Sequence, residues 1–251
     1  MSNMPKSSSP VLSEKIFERA ANNFTESGQT MTINGTVNKT FILLLILLST
    51  AIFTWTRYNE LLNPSEIMGY VIGGAIVALI IAIVYMFKPN WGMVLAPAYA
   101  AAEGLFIGGI SAMFNSMADG IVMQAVILTF GVLFVMLAMY KFRIIKVTEK
   151  LKSGIMAATG AVALFYLVMW VMRLFGGDTS FYAGNSMLSI GISLLIVGIA
   201  AFNLLLDFAF IEEGSQRNAP KYMEWFGAFG ILVTLVWLYI EILRLLSKLR
   251  D

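Results

Sequence analysis

The sequence predicts an all-α fold, a polytopic membrane bundle of seven transmembrane helices. Three observations indicate it. Of the 251 residues, 59% are hydrophobic and 13% are charged, a balance outside the range of soluble globular domains. Apolar stretches long enough to cross a bilayer, which takes about 20 helical residues, occur seven times. The polar segments between these stretches are too short to fold as separate domains.

Each predicted span is an apolar run that ends where a polar connection begins. The connections read "TRYNELLNPS", "KPNW", "NSMAD", "KFRIIKVTEKLKS", "GGDTSFYAGN" and "EEGSQRNAPK". The spans are therefore placed at 38–56, 66–87, 92–114, 120–140, 154–175, 186–211 and 222–246. A second placement of the last span, 230–249, puts "KYMEWFGAF" at the membrane interface. It also brings Glu241 closer to the middle of the span.

Residues 1–37 form a polar tail rich in Ser, Asn and Thr, and residues 38–251 form the seven-helix membrane domain. We expect the tail to be mobile, with a short surface helix at 12–22. It is too polar and lacks the cleavage-site pattern of a secretory signal peptide.

The absence of His and Cys narrows the possible functions. Without them the chain has no disulfide, no thiolate nucleophile, no Cys/His zinc site and no catalytic triad that uses His as its base. No Ser–Lys pair is recognisable at membrane depth either. We therefore predict no enzyme activity, no catalytic residues and no cofactor. The net charge of +2 gives no reason to expect nucleic acid as a partner.

The distribution of Lys and Arg predicts the orientation. Twelve of these residues fall on the side of the N-terminal tail and five on the opposite side. By the positive-inside rule the N-terminus is cytosolic and, after seven crossings, the C-terminus lies outside. The loop 141–152 supplies five of the twelve cations, so it is read as a topology determinant that would also attract anionic lipid.

Small residues recur every four positions along the third span and indicate close helix packing. They are Ala96, Ala100, Gly104, Gly108 and Ala112. Gly69 and Gly73 suggest a similar packing face on the second span.

Three acidic residues lie within spans, with no Lys or Arg at comparable depth: Glu103, Asp207 and Glu241. Glu103 is roughly 16 Å along its helix, near the middle of the membrane. Such groups must bind a proton, share one, or bind a cation. Three alternatives stay open: Asp207 could reach interfacial water, Glu241 could pair with Arg244, and Glu103 could be permanently protonated between helices.

The motifs "EGLFIGGIS", "NLLLDFAFIEEG" and "LVWLYIEILRLL", in this order, resemble the Bax inhibitor-1 family in its bacterial branch, over about 31–249. The resemblance implies a seven-helix protein of the bacterial inner membrane that leaks calcium in a pH-sensitive way. It assigns Asp207, Glu213 and Glu241 to the pH sensor and gate, with Asp207 and Glu241 sharing a proton and serving as candidate calcium ligands. Glu103 matches the family's Glu-Gly and becomes a pore or relay residue.

This sequence departs from that family pattern in three ways. The acid of the last helix is Glu241, where calcium-leak members usually carry Asp. The stretch from Asp207 to Glu241 is longer than in the family pattern. The basic residue that latches the sixth-helix acid from the second helix has no counterpart in 66–87.

Two functions from different classes follow. The first is a pH-sensitive cation leak, with the lipid bilayer and calcium or protons as partners. The alternative is a non-conducting membrane protein that regulates a membrane protease or another membrane protein through its tail.

The predicted topology is tested with reporter fusions. A reporter fused after Asp251 should be active only outside the cytosol, and one fused at Ser153 only inside. Equal signals from both positions would contradict the seven-crossing arrangement or the charge asymmetry that orients it.

Overall fold

The computed structural model describes residues 30–60 and 64–250, so most of the predicted tail, including the helix expected at 12–22, lies outside the described residues. In this part of the chain, seven helices are long and apolar enough to cross a membrane. No strand is present among these residues, apart from an isolated bridge between Thr30 and Pro220. The predicted all-α fold with seven membrane-spanning helices is confirmed.

The seven long helices fall on the seven predicted spans. We label them in chain order as α1 Ile33–Glu60, α2 Pro64–Phe87, α3 Gly92–Met117, α4 Ile121–Lys141, α5 Glu149–Leu174, α6 Met187–Gln216 and α7 Met223–Arg250. A 3-10 turn, Pro89–Trp91, precedes α3, and one helical turn, Ser180–Ala183, lies between α5 and α6.

Several helices extend beyond the apolar runs that predicted them. Helix α1 begins at Ile33 rather than at 38, and α6 continues to Gln216 rather than stopping at 211. Helix α5 begins at Glu149 rather than at 154 because the Thr148 hydroxyl caps it, accepting a hydrogen bond from the Leu151 amide at 3.3 Å. These helices therefore include polar turns at their ends, beyond the apolar runs from which the spans were predicted.

The end of α4 has the hydrogen-bond pattern of a Schellman motif. The Arg143 amide donates to the carbonyl of Tyr140 and the Ile144 amide donates to the carbonyl of Met139, both at 3.0 Å. Arg143 has a φ of 56°, the left-handed conformation in which glycine is usually found. This basic residue thus turns the chain out of α4.

The helices belong to two compact units. Within the described residues, one unit contains Gly120–Phe208 and 234–250, which comprise α4, α5, most of α6 and the second half of α7. The other contains 30–119 with its gap, together with Ala209–Val233, which comprise α1, α2, α3, the end of α6 and the first half of α7.

In the unit that contains α1 to α3, the predicted small-residue face of α3 is buried. Gly104 and Gly108 lie directly against α1, where a β-carbon on Gly108 would overlap the main chain of Ala51. Gly74 of α2 lies against α3, since its β-carbon would come within 2.7 Å of the Ala102 carbonyl oxygen. These contacts confirm that α3 packs through its glycines, as expected for membrane helices.

The prediction that Gly69 and Gly73 form a packing face is wrong. A β-carbon on either residue would meet no atom within 4 Å, whereas the adjacent Gly74 lies in the α2–α3 contact. One residue turns a helix by about 100°, so the packing face lies on a different side of α2 from the one that the spacing suggested.

A glycine substitution tests the α1–α3 contact. Gly108→Ala should lower the free energy of unfolding by about 1–3 kcal/mol, because the main chain of Ala51 cannot move aside as a flexible side chain would. Gly73→Ala is the matched control and should leave stability unchanged or raise it by about 0.5–1 kcal/mol, since Ala favours a helix interior. Thermal unfolding in detergent measures both, and equal melting temperatures would contradict the packing assignment.

Candidate functional site: carboxylates among the spanning helices

Asp207 is buried on α6, with 6% of its surface exposed. Asp207 lies roughly 13 Å before the end of α6, and its burial argues against the alternative that it reaches interfacial water. One hydrogen bond joins its carboxyl group to the Thr234 side chain of α7. The second carboxyl oxygen, Oδ2, is buried without a hydrogen-bond partner among residues 30–60 and 64–250, which is uncommon for a buried polar atom.

Glu241 of α7 is also buried, and its carboxyl group has several partners. The Tyr166 hydroxyl of α5 donates to its Oε1 at 2.6 Å. Arg244, one turn further along α7, donates from Nη1 to both carboxyl oxygens at 3.3 Å. The pairing of Glu241 with Arg244, one of the alternatives raised from the sequence, is therefore present.

The partners of Glu241 belong to a larger cluster that holds the connection between α5 and α6. The Tyr182 hydroxyl lies 2.5 Å from Nη1 of Arg244, and the Lys248 ammonium group donates to the Tyr182 carbonyl oxygen at 2.6 Å and to the Ser193 hydroxyl at 2.9 Å. Burial raises the pKa of the Tyr182 phenol, so it stays neutral. We call Tyr166, Tyr182, Glu241, Arg244 and Lys248 the tyrosine–arginine cluster.

Asp207 and Glu241 each bond to other groups. Thr234, the partner of Asp207, and Glu241 itself lie on the same helix about two turns apart, roughly 10 Å along its axis. The structure thus places both acids in one unit, with Glu241 on α7 and Asp207 hydrogen-bonded to Thr234 of the same helix. A proton shared directly between them remains a prediction.

Glu103 lies on the glycine-rich helix α3 in the other unit and is nearly buried. The Tyr99 side chain, one turn earlier on the same helix, hydrogen-bonds to its carboxyl group. The Tyr99 ring in turn packs edge-on against Phe229 of α7, with ring centroids 4.8 Å apart. A tyrosine therefore positions the Glu103 carboxyl group, and this positioning is a contact that the sequence analysis did not identify.

Glu213 is in a different environment. It forms an ion pair with Arg217 at 2.5 Å, and about a third of its side chain is exposed. It lies near the end of α6, where a charged pair costs little.

Glu224, at the first turn of α7, is a buried carboxylate that the sequence analysis missed. Its side chain is completely buried. It accepts hydrogen bonds from the Thr32 amide at 2.9 Å and the Thr32 hydroxyl at 2.8 Å, and it pairs with Lys221 at 2.9 Å and with Lys39. The only signal in the sequence is an acid in the first turn of a helix, where acids are generally favoured.

The contacts of Glu224 join the beginning of α1 to the beginning of α7. Thr30 pairs with Pro220, and the Met31 amide donates to the Ala219 carbonyl oxygen at 2.7 Å. We call Thr30–Thr32, Lys39, 219–221 and Glu224 the N-terminal clasp. Gly35 completes it, because a β-carbon there would overlap the Glu224 carboxyl group.

Among residues 30–60 and 64–250, no three His, Cys, Asp or Glu side chains come together as metal ligands would. A cation near Asp207 would therefore need main-chain carbonyl, hydroxyl or water oxygens in addition to carboxylate. Calcium accepts such mixed oxygen ligands.

Seven apolar helices with acidic side chains buried among them define an integral membrane protein. A family model described as Bax inhibitor 1 like matches residues 9–251, nearly the whole chain, and the chain belongs to this family. The chain has no match among curated proteins.

The clasp is tested by removing its central charge. Glu224→Gln should lower the free energy of unfolding by about 1–3 kcal/mol, because two lysines and two Thr32 donors lose a charged acceptor. Glu149→Gln is the control, since it removes an acid whose partner, Lys152, lies on the same helix. Thermal unfolding and proteolysis at 217–222 measure the effect. A Glu224→Gln protein as stable and as resistant as the control would show that the clasp contributes nothing.

Proposed function

We propose that this protein is a pH-sensitive cation leak of the bacterial inner membrane, with calcium as the expected ion. The observation that carries the proposal is the Asp207 carboxyl group, which is buried among spanning helices with one oxygen on Thr234 and the other without a partner. The N-terminus is proposed to be cytosolic and the C-terminus outside, from the charge asymmetry.

Asp207 has the environment that a proton-controlled element requires. A bare carboxylate inside a membrane protein costs several kcal/mol, and no basic side chain of the described part of the chain bonds to this one. Asp207 therefore gains either a proton or a cation. Exchange between the protonated and the cation-bound state changes the charge of the Asp207 site next to α7. This change biases the packing of α6 against α7.

Glu241 is proposed as the second element of the gate. Its carboxylate is compensated by Arg244 and by the Tyr166 hydroxyl, so it differs from Asp207 in having a cationic partner. Two routes can couple the acids. They can share a proton in a conformation that brings them together, or each can act on α7 separately, through Thr234 and through Glu241 itself.

Glu103 is proposed as a relay for cations or protons. It lies near the centre of α3, with Tyr99 as its hydrogen-bond partner. Glu213, ion-paired with Arg217 near the end of α6, is proposed as a peripheral contributor to pH sensing. Calcium would bind transiently to carboxylate and neighbouring oxygens, and no resident cofactor is proposed.

The gate is tested by flux of calcium and of protons into liposomes, measured as a function of pH. Asp207→Asn fixes the neutral form, so the flux should lose most of its pH dependence. Glu60→Gln is the matched control, because Glu60 is exposed in an ion pair with Arg57 at the end of α1, and its flux should follow the wild type. A pH profile unchanged by Asp207→Asn would remove Asp207 from the gate.

The same assay separates the two routes of coupling. If Asp207 and Glu241 share a proton, the effects of Asp207→Asn and Glu241→Gln on the pH dependence of flux should not be additive. The double variant should then resemble either single variant. The interaction free energy should then be about 0.5–3 kcal/mol. Effects that simply sum would show that the acids titrate independently and that the shared proton does not exist.

Glu103→Gln tests the relay. It preserves the shape and the Tyr99 hydrogen bond while removing the ionisable group, so the protein should fold normally with flux reduced several-fold. Far-ultraviolet circular dichroism and melting temperature check the fold. Wild-type flux in a folded Glu103→Gln protein would leave Glu103 as a packing residue.

The alternative, regulation of a membrane protease or another membrane protein without conduction, is favoured by the N-terminal clasp. The clasp holds Thr30 and Thr32, which directly follow the predicted tail, against Pro220 and Glu224. Deleting 1–29 should preserve flux if the protein is a leak and should abolish partner binding if the tail is the recognition element. Flux that is absent in the wild-type protein would favour this alternative.

A further inference from the structure

We call the segment 141–152 the loop; it comprises the last residue of α4, the connection 142–148 and the first turn of α5. Its connection presents apolar and cationic side chains in alternation. Phe142 and Ile144 are 71% and 67% exposed. Lys141, Arg143 and Lys146 lie on either side of them in the sequence and are also exposed. Large apolar side chains that are exposed side by side usually mark a surface that contacts a partner or a membrane. Because cations lie next to these side chains, the matching environment is both apolar and negatively charged.

The charge of the loop is strongly unbalanced. Five Lys and Arg residues occur in 141–152 against one acid, Glu149. That acid pairs with Lys152, one turn further along α5, at 3.0 Å. The loop therefore has a positive surface that matches an anionic partner.

Arg143 provides the second, independent observation. Its φ of 56° is a conformation that glycine adopts without strain and that other residues rarely adopt. A basic side chain is nevertheless present at this turn, and its guanidinium lies 5.7 Å from the centre of the Tyr140 ring at the end of α4. The strained turn thus places a cation at the end of a spanning helix, beside an aromatic ring.

We propose that the loop 141–152 is a docking surface for the anionic headgroups of the phospholipids around α4 and α5. The two helices that the loop joins both cross the membrane, so the loop lies at the membrane surface. Phe142 and Ile144 insert at the boundary of the acyl chains, and Arg143 and Lys146 bind the phosphates. This interaction is independent of ion conduction, and its test does not use flux.

The test uses the absence of native cysteine. Val147→Cys, labelled with a fluorophore, reports which lipids surround the loop in phosphatidylcholine bilayers. Brominated phosphatidylglycerol and brominated phosphatidylcholine are compared as quenchers. We expect phosphatidylglycerol to quench several times more effectively, and this preference to disappear in about 1 M salt, where charges are screened beyond about 3 Å.

Two variants on the labelled background identify the residues. Arg143→Gly removes the cation and suits the left-handed backbone, so the turn is kept, and Lys146→Gln removes a second cation from the same loop. Each should lower the preference for phosphatidylglycerol by a factor of about two to five. Lys88→Gln is the control, because Lys88 lies between α2 and α3, over the ring of Trp91, and it should leave the preference unchanged.

A label at Thr179→Cys completes the experiment. Thr179 lies in the connection between α5 and α6, at the opposite end of α5 from the loop 141–152, and should be quenched equally by the two lipids. Equal quenching at Val147→Cys in the otherwise unmodified protein would overturn the proposal and point to an acidic protein as the partner of the loop. A preference that survives in the double variant Arg143→Gly with Lys146→Gln would overturn it as well.

Discussion

Each acidic side chain buried among the helices of this protein must be neutralised by its immediate neighbours, because water and counterions do not reach the membrane interior. The chain meets this constraint in two ways. Glu224 and Glu241 have cationic partners, two lysines in one case and Arg244 in the other. The partners of Asp207 and Glu103 within the described ranges are hydroxyl groups, of Thr234 and Tyr99 respectively. The first pair is suited to holding the structure together, and the second pair is suited to exchanging protons or cations.

Helix α7 receives most of these interactions and is the most buried of the spanning helices. It carries Glu224 in its first turn, the Asp207 partner Thr234 near its middle, and Glu241 and Arg244 in its second half. Both ends of α7 are thus tied by charged contacts to segments distant in sequence. In the proposed gate, a change of protonation at Asp207 would act on a helix held at both ends, so it would be transmitted as rotation or bending of α7 rather than as loss of the helix.

The sequence was sufficient for the fold because the signal is local. An apolar run of about 20 residues specifies a spanning helix whatever surrounds it. Helix ends were less accurate, because a capping group such as Thr148 starts a helix before its apolar part begins. The orientation of α2 about its own axis could not be derived from the spacing of Gly69 and Gly73. The spacing shows that the two residues share a face of the helix, but it does not show whether that face contacts another helix.

The candidate site was predicted only in part, for a similar reason. Asp207, Glu103 and Glu241 were recognisable because acids are rare in apolar runs. Their partners were not, because Tyr166 and Tyr182 are 75 and 62 residues from the α7 groups to which they bond. Such pairs arise from tertiary packing and leave no trace in local composition.

The N-terminal clasp determines where the chain can be shortened or fused. A protein that begins at Thr30 retains the pairing with Pro220, the Met31 amide bond and both Thr32 donors to Glu224. Removing three more residues would leave the Glu224 carboxylate without its hydroxyl and amide donors and would expose the first turn of α1. The limit for N-terminal engineering therefore lies at Thr30, three residues before the start of α1 at Ile33.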